Sequence, residues 1–319
     1  MSAVSGLLCP GRFMVSRVGS IFFSGFNSVN CGSNLNNDPK YDFSKKFYEY
    51  FESQNDNDED CNDNPYISNN LVCKFFSEPE FIKSFKECNS PIILNLNIQY
   101  LHSKFDKLRY FLEMLASEGI KIDAISLQEV STIQNASSLT IPGYHPLIYK
   151  CRSKSKGGGV GFFVNESLKF RVKDDLSPFY ERIFESLTIE LFFDNSKYFL
   201  SSVYRPPGNH PTLNDSELFN SFMTSFEAHV VSLANHNSFI LTDSNINLLA
   251  IDQSKHSQDF LDFMLSHGFL NLITKATRFS KNSFSLIDQI FTNLKNPPPH
   301  SGVILNDISD HLVTFTCLN

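Results

Sequence analysis

Several features that define whole classes of protein are scarce or absent in this 319-residue chain. It has no tryptophan, and it has no uninterrupted apolar run of the roughly 18 residues that a membrane-spanning helix needs. Its seven cysteines include no Cys-x-x-Cys pair, which argues against a zinc site and favours free thiols in a reducing compartment. We therefore expect a nuclear or cytoplasmic protein that does not enter a membrane.

Positive charge is also in short supply. The formal net charge is −7 at pH 7, which argues against a protein that coats nucleic acid without specificity. A nuclease is compatible with this balance, because a metal site itself gathers carboxylates and a few local cations can contact phosphates. The most basic stretch alternates Lys150, Arg152, Lys154 and Lys156, and it could be either a nucleic-acid contact or a solvated loop.

The composition changes along the chain. Residues 1–74 are irregular and acidic, which predicts a disordered leader, although Arg12 and Arg17 without any acid in residues 1–37 also fit a mitochondrial presequence. Residues 75–90 place phenylalanines at helical spacing and predict a short amphipathic helix. Residues 91–319 alternate between strand and helix periods and predict one folded domain.

Phenylalanine, with 32 residues, is abundant, and short buried-strand patterns dominate the predicted domain. Residues 92–96, 122–127 and 239–241 are predicted strands, and residues 184–193 and 198–204 a hairpin. Helices are predicted after Ser103, as an N-cap, and from Asp215. Strands with helices inserted at intervals predict an α/β fold, in which two mostly antiparallel sheets pack face to face with helices outside.

Polar side chains stand where several predicted strands end. Asn97 and Glu129 each follow a buried strand, and Mg²⁺ prefers oxygen ligands of this kind. Asp243 and Asn245 are two residues apart and share a face of an extended segment, so Asp243 could orient or deprotonate an attacking water. Taken singly, each residue also fits an ordinary loop or turn role.

A second group of candidates includes the C-terminal Asp310-His311 pair. Asp288 could hold the imidazole from another strand, and a histidine fixed by a carboxylate is a better base or a better cationic phosphate ligand. Tyr204 ends a strand before the turn of residues 205–208, where its hydroxyl could bind a scissile phosphate or simply cap the strand.

The order of these motifs resembles the endonuclease/exonuclease/phosphatase superfamily, and within it the apurinic-like endonuclease domain of LINE-type (non-LTR) retrotransposons. In chain order the motifs are Asn97; Gln128-Glu129; Gly157-Gly158-Gly159-Val160; Tyr204-Arg205-Pro206-Pro207; Asp243-x-Asn245; Ser285-Leu286-Ile287-Asp288-Gln289-Ile290-Phe291-Thr292-Asn293; and Ser309-Asp310-His311. The resemblance covers residues 91–319 and implies a four-layer α/β sandwich with its site across the tops of both sheets.

The resemblance also implies roles for the candidate residues. Asn97 and Glu129 would handle Mg²⁺, with Mn²⁺ as an alternative. The catalytic residues would be Tyr204 at the phosphate, Asp243 and Asn245 at the water, Asp288 behind His311, and Asp310 at the metal or water. The implied substrate-binding residues are Thr277, Ser285, Arg205, Lys154 and Lys156.

The implied function is that of a monomeric, Mg²⁺-dependent DNA endonuclease of retrotransposon type, which hydrolyses a phosphodiester by in-line water attack. Two alternatives stay open: a phosphatase of the same fold with a phosphoinositide-like substrate, and an inactive retrotransposon-derived relic. Thr242 and Ser244 stand where the family usually has Gly and Phe, which favours the relic, whereas the retained candidate side chains favour an enzyme. A parent element would continue into a reverse transcriptase, which this chain does not contain.

Overall fold

The computed structural model describes residues 72–208, 210–280, 283–296, 298 and 300–318. Nearly all of the predicted leader, including the candidate presequence, lies outside these residues. Within them the chain is α/β, with two large sheets and helices on their outer faces. The predicted fold class is confirmed.

The strands are mostly short and are distributed along the whole of the described chain. They are β1 Val72–Ser77, β2 Ile92–Asn97, β3 Ala124–Gln128, β4 Ile148–Lys150, β5 Val160–Val164, β6 Lys169–Val172, β7 Phe179–Tyr180, β8 Phe184–Phe193, β9 Ser196–Tyr204, β10 Ser238–Asp243, β11 Leu270–Asn271, β12 Arg278–Phe279, β13 Phe284–Ser285, β14 Asp288–Thr292, β15 His300–Leu305 and β16 Val313–Cys317. The helices are α1 Glu78–Phe85, α2 Leu101–Ser117, α3 Asp215–Ala234 and α4 Lys255–Ser266.

The first sheet has the strand order β1-β15-β16-β2-β3-β5-β4, and the second has β11-β14-β10-β9-β8-β6 with β7 also paired to β8. Most neighbours are antiparallel, while β1 and β15, β2 and β3, and β9 and β10 are parallel. A separate hairpin joins β12 to β13. Candidate site residues end β2, β9 and β10, begin β14 and directly follow β3. The topology places these strand ends next to one another within each sheet.

The segment before residue 91 contributes to the first sheet. Residues 75–77 finish β1 instead of starting a helix, so the predicted amphipathic helix is limited to α1. A capping box starts α1, because Ser77 accepts from the Glu80 N–H and the Glu80 carboxylate accepts from the Ser77 N–H at 2.9 Å. Phe81 and Phe85 are buried against Phe315 of the sheet.

Helix α2 begins earlier than its sequence predicts. Ser103 is not its N-cap; the cap is Tyr100, in a left-handed conformation (φ 70°) and without a side-chain cap bond. The Tyr100 N–H donates to the Glu129 carbonyl at 2.8 Å, so a contact between neighbouring loops of the first sheet decides where this helix starts. This tertiary hydrogen bond, and not the local preference of Ser103 for an N-cap position, sets the start of the helix.

In this chain without tryptophan, phenylalanine side chains pack between the helices and the sheets. On the second sheet, Phe184 meets Phe226 of α3 edge to face, and Phe226 stacks on Phe260 of α4. Between the sheets the side chains are smaller and partly polar: Gln128 donates to Ser202 at 3.0 Å, and Ser202 donates to the Leu127 carbonyl at 3.1 Å. These buried bonds fix one sheet against the other near the strand ends.

Among the described helices, none combines the length and apolar character needed to cross a bilayer.

Candidate active site

The second sheet brings three candidates into one row. Asp243 at the end of β10 is the register partner of Tyr204 on β9 and of Asp288 on β14. Regular pairing on both sides of Thr242 holds this strand. The Ser244 hydroxyl accepts from the Ile246 N–H at 3.1 Å and so supports the turn that follows β10.

The first sheet contributes Asn97 and Glu129 to the same place. The Asn97 amide nitrogen donates to Glu129 Oε1 and to Asp243 Oδ2, both at 2.7 Å. The Asn97 amide oxygen accepts from the Gln99 N–H at 3.0 Å, which fixes the direction of the amide. Asn97 therefore joins the two carboxylates as a donor, and its proposed contact with a metal through oxygen stays a prediction.

The backbone around these residues is strained. Gln99, Tyr100, Glu129 and Asn245 all have positive φ, at 45°, 70°, 53° and 50°, in a region that side chains other than glycine rarely adopt. Such conformations persist where the surrounding structure imposes them, and they cluster at functional sites. Here they turn the chain immediately beyond the ends of β2, β3 and β10.

A buried chain of hydrogen bonds orients His311. Its Nδ1 donates to both carboxylate oxygens of Asp288 at 2.9 Å, and Thr277 Oγ1 donates to Asp288 Oδ2 at 2.6 Å. His311 and Asp288 are both almost fully buried. Because Asp288 takes Nδ1, the other ring nitrogen, Nε2, is left for a substrate.

The surroundings of the site raise the pKa values of both Asp243 and His311. The shifts favour the neutral form of the carboxyl and the charged form of the imidazole. Burial, with the nearby Asp288 carboxylate, raises the pKa of Asp243 to about 7 despite the opposing effects of His311 and Asn97. Burial lowers the pKa of His311, but the carboxylates, Asp288 first, outweigh it and raise that pKa to about 9. At neutral pH the site thus combines a weakly acidic carboxyl with a charged imidazole.

Tyr204 completes the group as a neutral donor. Burial, together with the Glu129 and Asp243 carboxylates, raises the pKa of Tyr204 far above its ordinary value, and its hydroxyl is hydrogen-bonded to Glu129. Asn245 lies beside it, with its amide nitrogen on the Arg205 carbonyl at 2.8 Å and on Asp243 Oδ2 at 3.3 Å. In this arrangement Asn245 orients the Asp243 carboxylate.

The donor set fits a hard divalent cation. Glu129 and Asp243 converge on one amide, and Asp243, Asp288 and His311 offer ligand atoms within 4.8 Å of one another. Three carboxyl groups surround one imidazolium, so the site has a net negative charge that a cation would neutralise. Carboxylate oxygens are the ligands that Mg²⁺ and Mn²⁺ prefer, and Glu129 is the carboxylate placed to hold one while Asp243 stays free to act on a water.

Other predicted residues lie at the edge of this group or behind it. Asp310 is half exposed and forms an ion pair with Arg278, with N–O distances of 2.9 and 3.1 Å. Ser285 lies opposite Arg278 in the β12–β13 hairpin. Thr277 is fully buried and holds Asp288, which gives it a supporting contact instead of an open face toward a phosphate.

Arg205 points away from the site. Its guanidinium lies over the Phe219 and Phe222 rings of α3, 5.9 and 5.4 Å from their centroids, and its Nη1 donates to the Ser244 carbonyl at 3.2 Å. Alternation along a strand explains this, because successive side chains face opposite sides. The buried Arg205 side chain supports the turn around Ser244, and its expected substrate contact stays a prediction.

Three cations lie near the site. Lys104 and Arg278 were not singled out by the sequence, whereas Arg152 belongs to its most basic stretch. Lys104, in the first turn of α2, is close enough to Glu129 and Asp310 for both to affect its pKa, which burial lowers overall. Arg278 pairs with Asp310. Arg152 is only 8% exposed and forms a short ion pair with Glu185, the register partner of Tyr204. No local pattern predicts this last contact, since the two residues are 33 positions apart.

Glu185 also explains the run of three glycines. Its Oε2 accepts from the Gly159 N–H at 2.6 Å, and Gly158 and Gly159 have φ values of 63° and 84°. A side chain at Gly158 would overlap the Arg152 guanidinium. Glycine is therefore required where this turn approaches the buried ion pair.

We expect Glu185→Ala to lower the free energy of unfolding by about 3–5 kcal/mol, because it leaves the Arg152 charge buried without its partner. Urea unfolding of the variant measures this. The double substitution Arg152→Met with Glu185→Leu is the control, and it should recover most of the loss. Equal losses in both variants would contradict the ion-pair explanation.

No family model matches this chain, and no curated protein matches its sequence. Solved structures do match its fold. The AP endonuclease LMAP from Leishmania major has a TM-score of 0.59 at 15% identity, covering 80% of this chain and 97% of its own.

Two further structures match less of the chain. The endonuclease domain of TRAS1, a telomere-specific non-LTR retrotransposon, has a TM-score of 0.50 at 10% identity, covering 72% of this chain and 98% of its own. TDP2 from D. rerio, complexed with a single strand DNA product, has a TM-score of 0.50 at 14% identity, covering 72% and 99%. At these identities the likeness establishes the fold. This chain has the fold of the endonuclease/exonuclease/phosphatase superfamily.

Proposed function

We propose that this protein is a divalent-metal-dependent DNA endonuclease of retrotransposon type, which hydrolyses a phosphodiester by in-line attack of water. One observation carries the proposal. The Asp288–His311 pair, Asp243 and the Asn97–Glu129 pair come from both sheets and meet at one buried polar site. The side chains that a phosphodiesterase needs are thus assembled.

Asp243 is the proposed base. A pKa of about 7 lets its carboxylate accept a proton from water at neutral pH while remaining ionised in a large fraction of molecules. Asn97 and Asn245 hold the carboxylate from two sides, at 2.7 and 3.3 Å from Oδ2. The proton moves from the attacking water to Asp243 as the new oxygen–phosphorus bond forms. The bond between phosphorus and the 3′ oxygen breaks, and the departing oxygen takes a proton from solvent to become the 3′-hydroxyl.

His311 and Tyr204 are the proposed donors to the phosphate. The imidazolium presents Nε2 with a positive charge, which can stabilise the charge that develops on the phosphate oxygens. The neutral Tyr204 can add a second donor when its O–H exchanges the Glu129 carboxylate for the phosphate. Glu129 would hold Mg²⁺ or Mn²⁺, which when bound supplies Lewis-acid stabilisation of the phosphate and the leaving oxygen. The expected products are a 3′-hydroxyl and a 5′-phosphate.

DNA is the favoured substrate for two reasons. The structures with this fold include an AP endonuclease, a retrotransposon endonuclease domain and TDP2 with a DNA product. The basic loop, residues 150–156, is also fixed next to Tyr204 by the Arg152–Glu185 pair. A phosphoinositide-like substrate is the alternative, and the test below includes it.

We expect activity to fall above about pH 9, where His311 loses its proton. Asp288→Asn removes the charge that raises the His311 pKa, so the alkaline limb of the pH–rate profile should move to lower pH. Nicking rates from pH 6 to 10 at saturating Mg²⁺ measure this. An alkaline limb that does not move in the variant would contradict the role of Asp288 as a positioning residue.

The function is tested by incubating the full chain with supercoiled plasmid and Mg²⁺, beside an EDTA control and a phosphoinositide phosphatase assay. Metal-dependent nicking supports the endonuclease. Phosphate release from the lipid without nicking would replace it with a phosphatase. A folded protein inactive in both assays, with Mg²⁺ or Mn²⁺, would identify an inactive relic.

A further inference from the structure

Residues 153–155, here called the anion loop, direct several donors at one carboxylate. The Ser153 N–H and the Lys154 N–H donate to Glu181 Oε1 at 2.7 and 3.2 Å, and the Ser153 hydroxyl donates to the same oxygen at 3.0 Å. The Ser155 hydroxyl donates to Oε2 at 3.2 Å, and the Lys154 N–H lies 3.3 Å from it. Two successive backbone amides and two hydroxyls thus surround one anion.

This arrangement is selective for negative charge. The Ser153 N–H, followed by the other donors of the loop, lowers the pKa of the Glu181 carboxyl. Successive backbone N–H groups that converge in this way form anion-binding concavities in proteins. The contacts are exposed to water, where such bonds exchange readily with other anions. Glu181 therefore occupies a site that a phosphate group would also fit.

The anion loop is anchored beside the active site. Arg152 immediately precedes it, and its Nη1 donates to the Lys156 carbonyl at 3.3 Å while its Nε pairs with Glu185. Glu185 is fully buried and lies opposite Tyr204 in the register of β8 and β9. Lys154 and Lys156 are exposed on the same loop, which adds positive charge next to the converging amides.

We propose that the anion loop is a second phosphate-binding site, which binds a backbone phosphate of the DNA strand near the scissile phosphate. The Glu181 carboxylate competes with that phosphate for the same donors. The source of the phosphate rests on the proposed function, whereas the affinity for phosphate does not. Phosphate binding requires Glu181 to leave the loop, so the carboxylate lowers the apparent affinity by the fraction of time it is bound. If Glu181 served only to hold the anion loop in place, removing its carboxylate would disorder the loop and lower its affinity for phosphate.

The first experiment measures binding of the full chain to a labelled DNA duplex in EDTA over a range of salt concentrations. Glu181→Ala should lower Kd about fivefold or more, and it should steepen the dependence of log K on log salt by about 0.9, the value for one added phosphate contact. Asp175→Ala is the matched control, because Asp175 is an exposed carboxylate paired only with Lys173 at 3.4 Å among the described ion pairs. Unchanged or weaker DNA binding by Glu181→Ala would overturn the assignment to a DNA phosphate.

The second experiment separates the anion site from the endonuclease proposal. Protein labelled with ¹⁵N-lysine is titrated with inorganic phosphate, and the Lys154 amide resonance, assigned through Lys154→Arg, is followed. In Glu181→Ala it should shift saturably, and adding Ser153→Ala and Ser155→Ala should weaken that shift. No shift of the Lys154 amide in Glu181→Ala would overturn the site, whether or not the protein cleaves DNA.

Discussion

Asp243→Asn is expected to lower the rate of plasmid nicking by about 10²–10⁴-fold, which is the usual contribution of a positioned acid or base. The variant retains the shape of the side chain but cannot accept the proton of the attacking water. The rate constant at saturating DNA and Mg²⁺ measures the effect. Asp106→Asn, at an exposed carboxylate on α2, is the control and should nick at the rate of the unmodified protein.

The same substitution should not weaken the fold, which distinguishes a catalytic loss from unfolding. The folded-state pKa of Asp243 is about 7, above its unfolded value of 3.8. The folded protein therefore holds this proton more tightly, and its stability falls as pH rises from about 4 to 7. Above pH 7 without metal, removal of the buried charge should raise the unfolding temperature by a few degrees, even though the amide loses one accepted bond.

Two results would contradict this account of Asp243. One is a nicking rate in Asp243→Asn within a few-fold of the unmodified protein, since that would exclude the proposed base. The other is a large fall in the unfolding temperature at pH 8 in EDTA, which would mean that the charged carboxylate stabilises the fold.

His311→Ala is the second substitution with a large expected effect, again about 10²–10⁴-fold on the nicking rate. It removes the only imidazole in the described site, and with it the charged donor to the phosphate. Imidazole added to the reaction should restore part of the rate, because the cavity left by the side chain is lined by Asp288. Rates with and without imidazole at pH 7.5 measure both effects.

His311→Ala also leaves the fully buried Asp288 carboxylate without its cationic partner, which by itself costs about 3–5 kcal/mol of stability. The double variant with Asp288→Asn removes that unpaired charge, so it should regain stability and remain inactive. Recovery of both stability and activity would mean that the single substitution acts through folding, and would contradict a catalytic role for His311.

The sequence predicts most of what lies along single strands. Residues 92–96, which are apolar except for Asn95, and the apolar run 239–241 form β2 and β10 with ends within three residues of those expected. Glu129 and Asp243, both predicted at strand ends, share the Asn97 amide nitrogen. Local pattern determines these positions because strand period and strand end are properties of a few neighbouring residues.

Contacts between distant segments were harder to predict. Tyr100 begins α2 because of its bond to the Glu129 carbonyl, and nothing in residues 100–106 indicates that bond. The resemblance implies a substrate contact for Arg205, and strand alternation turns its side chain toward α3. The pairs Arg152–Glu185 and Arg278–Asp310 join residues more than 30 positions apart, and without the fold no spacing identifies them.

The most direct test of the account compares nicking of supercoiled plasmid by the full chain and by Asp243→Asn at one Mg²⁺ concentration and pH 8. The account predicts metal-dependent nicking by the unmodified protein and a rate at least about 10²-fold lower in the variant, with both proteins folded. Equal rates, or no nicking by folded unmodified protein with Mg²⁺ or Mn²⁺, would contradict it.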